Sequence, residues 1–170
     1  KKKTRVATQY MKGYFYEEPI TMPKWTLHED TMTVLGYLCK RATTHYLGRD
    51  WEVYYTPEIQ LSRGPWKLWG LPGLITRAKD SDHYFLFEMD VFKSLSKPEP
   101  IIYIHRELGN KGGYTGDEYK KVSKDTFTEY EKLFHEDAMT FLDFEMGNTV
   151  TTSGKSTVSA TAIPYIPLEK

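Results

Sequence analysis

The sequence lacks the residues that several classes of chemistry require. Its 170 residues include one cysteine, Cys39, so the chain forms neither an intrachain disulfide nor a cysteine-based metal cluster. The 23 basic and 23 acidic side chains give a net charge of zero, which excludes an overall field that would draw nucleic acid. No apolar run reaches the roughly 18 residues of a membrane-spanning helix. No glycine-rich phosphate loop follows a predicted strand, so we expect no nucleotide or other cofactor.

Aromatic residues, by contrast, are abundant. They make up 15% of the chain and include 13 tyrosines, while hydrophobic residues reach 39% and charged residues 27%. These proportions are typical of a folded globular protein, and the aromatic content favours strands. The length predicts a single domain over residues 1–170.

The clearest predicted hairpin joins residues 31–46 to residues 49–56 through the two-residue break Leu47-Gly48. Gly36 lies inside the first of these runs and predicts a bulge or a bend between its two halves. Alternation in the second run puts three core candidates on one face, namely Trp51, Val53 and Tyr55.

A second hairpin is predicted from residues 74–79 and 84–92, with its turn at residues 80–83. The return strand carries a nearly continuous apolar run, so its centre is expected to be covered on both faces. Residues 101–104 predict one further strand.

Shorter strands are predicted before the first hairpin. Residues 13–16 fit an edge strand, and residues 23–27 fit a short strand followed by a turn at residues 28–31.

Ser123 is a candidate N-cap for a C-terminal amphipathic helix, or for two short helices broken near Glu136, lying on the sheet. The order of elements predicts an α+β, mostly β fold. We expect a curved antiparallel sheet, a meander that can form a half-barrel, packed by one or two C-terminal helices.

The long connection at residues 57–73 is rich in Trp, Gly and Pro. One interpretation is a hydrophobic plug in which Trp66, Leu68 and Leu71 close the end of the sheet, with a type II turn at Pro72-Gly73. The alternative is an aromatic binding surface that uses Trp66 and Trp69 to hold a ligand or partner.

Residues 70–75 read Gly-Leu-Pro-Gly-Leu-Ile. With its flanks over residues 24–92, this stretch resembles the GLPGLI family of exported bacterial proteins, found mainly in Bacteroidetes. The flanking residues that carry the resemblance include Trp25, Cys39, Trp51, Gly64, Pro65, Trp66, Lys67 and Ala78. The resemblance implies a periplasmic or extracellular (secreted) protein, a signal peptide in the precursor and further N-terminal strands, but no particular activity.

Two residues of the first hairpin, Arg49 and Tyr55, join Trp66 and Trp69 as candidate binding residues. Arg49 can recognise an anionic ligand, or it can form an ion pair with Glu58 that ties the hairpin to the long connection.

The turn Asp80-Ser-Asp-His83 contains three weak candidates for metal ligands, namely Asp80, Asp82 and His83. The favoured interpretation is a hairpin turn in which the Asp and Ser side chains bond to the local backbone.

Cys39 and His45 lie six residues apart, about 20 Å along an extended strand, so they do not form a cysteine–histidine pair. Cys39 is expected to be a small buried residue. The spacing of the other histidines predicts no metal triad: His28, His105 and His135.

These observations favour an exported, non-enzymatic binding or interaction module for an apolar small molecule or an envelope protein. Two alternatives stay open, namely a hydrolase whose carboxylates and histidines are assembled by the fold, and a purely structural envelope protein.

Overall fold

The computed structural model describes residues 3–10, 12–97, 119–147 and 165–169. The chain divides into two compact units, one formed by Lys1–Ile20 with Pro100–Tyr165 and the other by Thr21–Glu99 with Ile166–Lys170. Within the described ranges, no helix is both long and apolar enough to cross a membrane. The strand predicted at residues 101–104 lies outside the described residues, and the single-domain prediction stays a prediction.

In chain order the elements are β1 (Lys3–Gln9), β2 (Gly13–Pro19), β3 (Thr26–Val34), β4 (Tyr37–Tyr46), β5 (Arg49–Thr56), β6 (Leu74–Asp80), β7 (Leu86–Glu88), β8 (Lys120–Lys121), α1 (Lys124–Glu136) and α2 (Ala138–Met146). Strands β3 to β7 form an antiparallel meander, and β1, β2 and β8 form a smaller sheet. We call the compact unit that contains the meander, Thr21–Glu99 with Ile166–Lys170, the five-stranded unit. The predicted class is confirmed, because the chain is mostly β with two C-terminal helices, although its strands form two sheets that do not close into a barrel.

Two hairpins of the five-stranded unit have turns with the same backbone geometry. Leu35-Gly36 has φ angles of 51° and 83°, and Leu47-Gly48 has φ angles of 51° and 79°. Positive φ at both positions is the mark of a type I′ turn, whose twist matches that of the flanking strands. The hairpin at Leu47-Gly48 is therefore confirmed. The bulge or bend expected at Gly36 is wrong, because Gly36 ends a hairpin between two strands.

Three other strand predictions need correction. Residues 28–31 are not a turn but lie within β3, where the register with β4 shifts between Leu27 and Thr31, and β3 begins only at Thr26. The return strand of the second hairpin shortens to β7. Its outer side chains Tyr84 and Leu86 are each 59% exposed, so the strand is not covered on both faces.

The core face of the five-stranded unit carries apolar side chains that share one side of β4, β5 and β6 by register. Leu68 and Leu71 from the long connection pack onto this face. The connection therefore covers the face of the sheet, where the sequence predicted a plug at its end. The sheet residues of this cluster are Ala42, Tyr46, Trp51, Val53, Tyr55, Ile75 and Ala78.

The helices pack on the smaller sheet. Phe127 of α1 and Phe141 of α2 form a cluster with Tyr14 and Tyr16 of β2. Strand β2 lies between β1 and β8, so the edge position predicted for residues 13–16 is wrong.

The predicted N-cap at Ser123 is confirmed, and of the two alternatives the one with two helices broken near Glu136 is confirmed. The Ser123 side chain caps α1 by accepting from the Thr126 amide. Asp137 separates the two helices and caps α2 by accepting from the Thr140 amide, which explains the break near Glu136.

Candidate functional site

The face of the five-stranded unit opposite the core carries a row of charges, which we call the polar face. Arg41 lies between two carboxylates, with Nε 3.0 Å from Asp30 and Nη1 3.2 Å from Glu52. Lys79 approaches Glu52 from the other side at 3.1 Å. Partial burial acts to raise the pKa of Glu52, but hydrogen bonds from Lys79 and Arg41 outweigh it and hold that pKa below its ordinary value. The row therefore keeps alternating charges in fixed positions across four strands.

A groove of about 470 Å³ lies at the hairpin end of this face. Among its lining residues, Thr43 Oγ1 lies 2.8 Å from His28 Nε2, and His45 Nδ1 lies 2.7 Å from Asp50 Oδ1. The lining is rich in donors and acceptors, which suits a polar ligand. The lining residues are Lys24, Thr26, Thr43, Thr44, His45, Asp50, Trp51, Glu52, Lys79, Asp80, Ser81 and His83.

The sequence analysis missed the pairing of His45 with Asp50. The type I′ turn at Leu47-Gly48 places these residues directly opposite each other in the β4–β5 ladder. Their side chains are 68% and 70% exposed, so the pair is open to solvent. The signal that could have found it was the two-residue loop, since its length fixes the cross-strand partners.

Cys39 lies apart from His45, as the sequence predicted. Its side chain is buried, and its sulfur lies 3.2 Å from Thr76 Oγ1. Thr76 is the extra residue of β6 at the register shift opposite Tyr54 and Tyr55. Cys39 is therefore a packed core residue without a histidine partner.

Arg49 is buried at the other side of the same hairpin end. Its Nη1 donates to Asp80 Oδ2 at 2.8 Å and to Asp82 Oδ2 at 3.3 Å, while Nε and Nη2 donate to the Pro167 carbonyl at 3.1 and 2.6 Å. The proposed ion pair with Glu58 does not form, because Glu58 instead accepts from the Leu38 amide at 3.1 Å. Arg49 thus binds a carbonyl and two carboxylates of its own chain.

The turn at residues 80–83 agrees with the local-bonding interpretation. Asp80 Oδ1 accepts from the Phe85 amide at 2.8 Å, and the His83 amide donates to the Asp80 carbonyl at 3.2 Å. Because the Asp80 carboxylate faces Arg49 and an amide, a cation there would be repelled by the guanidinium. Across the described residues, no group of three or more His, Cys, Asp or Glu side chains is arranged to hold a metal ion.

The aromatic candidates do not gather into one surface. Tyr55 is buried in the core, and Trp66 is half-buried with its ring 5.7 Å from that of Trp51. Trp69 has a different set of contacts, since its Nε1 donates to the Thr21 carbonyl at 3.3 Å and its own carbonyl accepts from Trp25 Nε1 at 2.9 Å.

The turn in the Gly70–Ile75 stretch differs from the type II turn expected at Pro72-Gly73. The Gly73 amide donates to the Leu71 carbonyl at 2.9 Å, which closes a three-residue γ-turn around Pro72. The Leu74 amide donates to the Ile59 carbonyl at 3.1 Å, so it is not available to close a type II turn.

Comparison with known proteins assigns no family to this chain. No protein-family model matches it, and no curated protein matches it. A solved structure of PNGF-II is similar over 75% of this chain, with 12% sequence identity and a TM-score of 0.45. The chain spans 22% of the length of that structure. The resemblance to the GLPGLI family therefore stays a prediction.

Proposed function

We propose that this chain is an exported, non-enzymatic interaction module that binds a protein partner through the groove of the polar face. The groove carries the proposal, because its lining combines lysine, carboxylate, imidazole and hydroxyl groups on a rigid sheet. Export to the periplasm or the extracellular space is part of the proposal and relies on the resemblance of residues 24–92 to the GLPGLI family.

A protein partner suits this groove better than the apolar small molecule that the sequence also suggested. The core face of the five-stranded unit is occupied by its own side chains, with Leu68 and Leu71 only 1% and 2% exposed. The groove offers charged groups held by their neighbours, such as Glu52 between Arg41 and Lys79. Fixed charges of both signs favour a partner with complementary charges and disfavour wrong ones.

Two matched variants on β6 test this proposal. Lys79→Ala removes a cation from the groove lining, whereas Arg77→Ala removes a cation of the same face that pairs with Glu88 at 2.8 Å. The tagged chain would be expressed in the envelope of the bacterium that encodes it, cross-linked, and its co-purified proteins quantified by mass spectrometry. We expect one protein to be retained by wild type and Arg77→Ala and to fall about tenfold or more with Lys79→Ala.

If both variants retain or lose the same proteins equally, the groove is not the binding surface. If wild type retains no protein at all, a purely structural envelope role becomes the better description.

The pair of His45 and Asp50 favours a second candidate, the hydrolase. Asp50 accepts from Nδ1 of the imidazole, which fixes the tautomer whose Nε2 can accept a proton from water in the groove. A panel of activated ester and amide substrates would test it. The hydrolase candidate predicts turnover that His45→Asn abolishes and that Asp50→Asn lowers about tenfold or more. Rates equal to buffer for all substrates would exclude it.

A further inference from the structure

The segment Ile166–Glu169, which we call the C-terminal strap, belongs to the five-stranded unit although more than sixty residues of chain separate it from the rest of that unit. It contacts the unit through three consecutive residues. The Pro167 carbonyl accepts from Arg49, Leu168 packs against the core cluster, and Glu169 forms an ion pair with Lys67. None of its residues lies in a strand. Side-chain recognition therefore holds the strap, with no ladder of backbone hydrogen bonds.

The receiving site is built from groups that position one another. The side chains of Arg49 and Asp80 are 2% and 1% exposed and lie 2.8 Å apart. The guanidinium carbon also lies 4.8 Å from the centre of the Phe85 ring. Asp80 in turn accepts from the Phe85 amide at 2.8 Å, which fixes the carboxylate. The hairpin itself thus orients the guanidinium, and Nε and Nη2 face the strap as a ready pair of donors.

The three contacts differ in chemistry and follow the sequence of the strap. A forked guanidinium binds a backbone carbonyl, the apolar core cluster receives a leucine, and a lysine binds a carboxylate. The Lys67 and Glu169 side chains are only 14% and 17% exposed, so this ion pair is screened less than one on the open surface. Contacts of different chemistry to successive residues of a segment are how peptide-binding sites distinguish sequences.

We propose that the surface around Arg49, Trp66 and Lys67 is a peptide-recognition site, and that the C-terminal strap is its ligand. A separate polypeptide with the same residues, including a second copy of this chain, binds the site when the strap is released. This site lies on the core side of the sheet, and Arg49, Trp66 and Lys67 are not among the residues that line the groove, although Asp80 borders both.

Competition within the 170-residue chain tests the proposal. The ligand is a fluorescein-labelled peptide of residues 163–170, and binding is followed by fluorescence anisotropy. The receptors are the wild-type chain and a variant with Leu168→Ala and Glu169→Ala, whose own strap is weakened. We expect the variant to bind the peptide at least about tenfold more tightly, because a tethered wild-type strap competes at an effective concentration near millimolar.

A charge exchange provides the specificity control. Adding Lys67→Glu to the weakened chain should reduce binding of the wild-type peptide about tenfold, and a peptide carrying Glu169→Lys should restore it. Circular dichroism would check that each receptor is folded, and Glu169→Ala alone replaces the double variant if that one unfolds. The proposal is overturned if a folded, strap-weakened chain does not bind at millimolar peptide, or if the exchanged charges leave the preference unchanged.

Discussion

At the scale of single residues, Gly73 shows why the Gly-Leu-Pro-Gly-Leu-Ile stretch is structurally constrained. Its φ angle is 155°, and a Cβ added there would lie 2.1 Å from the carbonyl oxygen of Thr56. That oxygen belongs to the end of β5, whose position is fixed by pairing with β6. A side chain at this position therefore meets backbone that cannot move without breaking the sheet.

We expect Gly73→Ala to lower the free energy of unfolding by about 3 kcal/mol or more, because strain and a backbone clash act together. Gly36→Ala is the matched control, since its φ of 83° is unfavourable but no atom lies within 4 Å of the new Cβ. The control should cost only about 1–2 kcal/mol. Urea denaturation measures both, and equal losses would show that the clash relaxes at little cost.

Trp66 offers a second test at the residue scale. Its ring packs near Trp51 and Tyr46, at 5.7 and 6.1 Å between centroids, but it is only half-buried. We expect Trp66→Ala to cost about 2–3 kcal/mol, below the ~3–5 kcal/mol of a fully buried tryptophan. Trp69→Ala should cost about 1 kcal/mol, since it mainly removes the hydrogen bond from Trp69 Nε1 to the Thr21 carbonyl. If Trp69 proves the costlier residue in urea denaturation, the packing role assigned to Trp66 is wrong.

At the scale of elements, local chemistry predicted some features and long-range pairing decided others. The hairpin at Leu47-Gly48 and the N-cap at Ser123 were predictable, because a turn and a cap depend on a few adjacent residues. Gly36 was misinterpreted because residues that favour strands flank it on both sides, Thr and Val before it and Tyr after it. Composition alone therefore does not separate a bulge from a turn.

The candidate sites were less predictable than the elements. Arg49 meets Asp80 across 31 positions of sequence and Pro167 across 118. Such partners depend on strand register and on the path of the chain, which propensities do not encode. The candidate residue Arg49 was identified, but its binding partners were not.

The charge row of the polar face predicts a pH effect at the element scale. Since the folded pKa of Glu52 lies below its ordinary 4.5, its ion pairs stabilise the fold at neutral pH, and this contribution is lost as the pH falls through that lowered value. Glu52→Gln should therefore cost up to about 1 kcal/mol at pH 7 and almost nothing in strong acid.

Glu88→Gln is the control for this effect, because Glu88 is 57% exposed and, among the residues that the structure describes, pairs only with Arg77 at the sheet edge. Denaturant midpoints across the acid range would measure both variants. A Glu52→Gln cost that does not shrink as the pH falls would contradict an ionic origin.

At the scale of the whole molecule, each compact unit has its own core. Trp51 and Val53 are at the centre of one, and Phe141, with 0% exposure, is at the centre of the other. Each unit is assembled from two segments far apart in sequence. The chain therefore passes from the first unit to the second, returns to the first, and ends in the second.

We expect Phe141→Ala to cost about 3–5 kcal/mol and to act on its own unit first. Hydrogen exchange should accelerate in α1, α2 and β2, while the amides of β4 and β5 keep their protection. Phe144→Ala, on the same helix but 49% exposed, should change little. A uniform acceleration across both units would show that they unfold as one.

The burial of Cys39 has a practical consequence for labelling chemistry. Its side chain has 0% exposure, so a maleimide or disulfide reagent reaches the thiol only when the five-stranded unit opens. The native protein can therefore accept an engineered surface cysteine, and a dye attached there will mark that position selectively. Without such an addition, the rate at which the Cys39 thiol reacts measures how often the sheet opens.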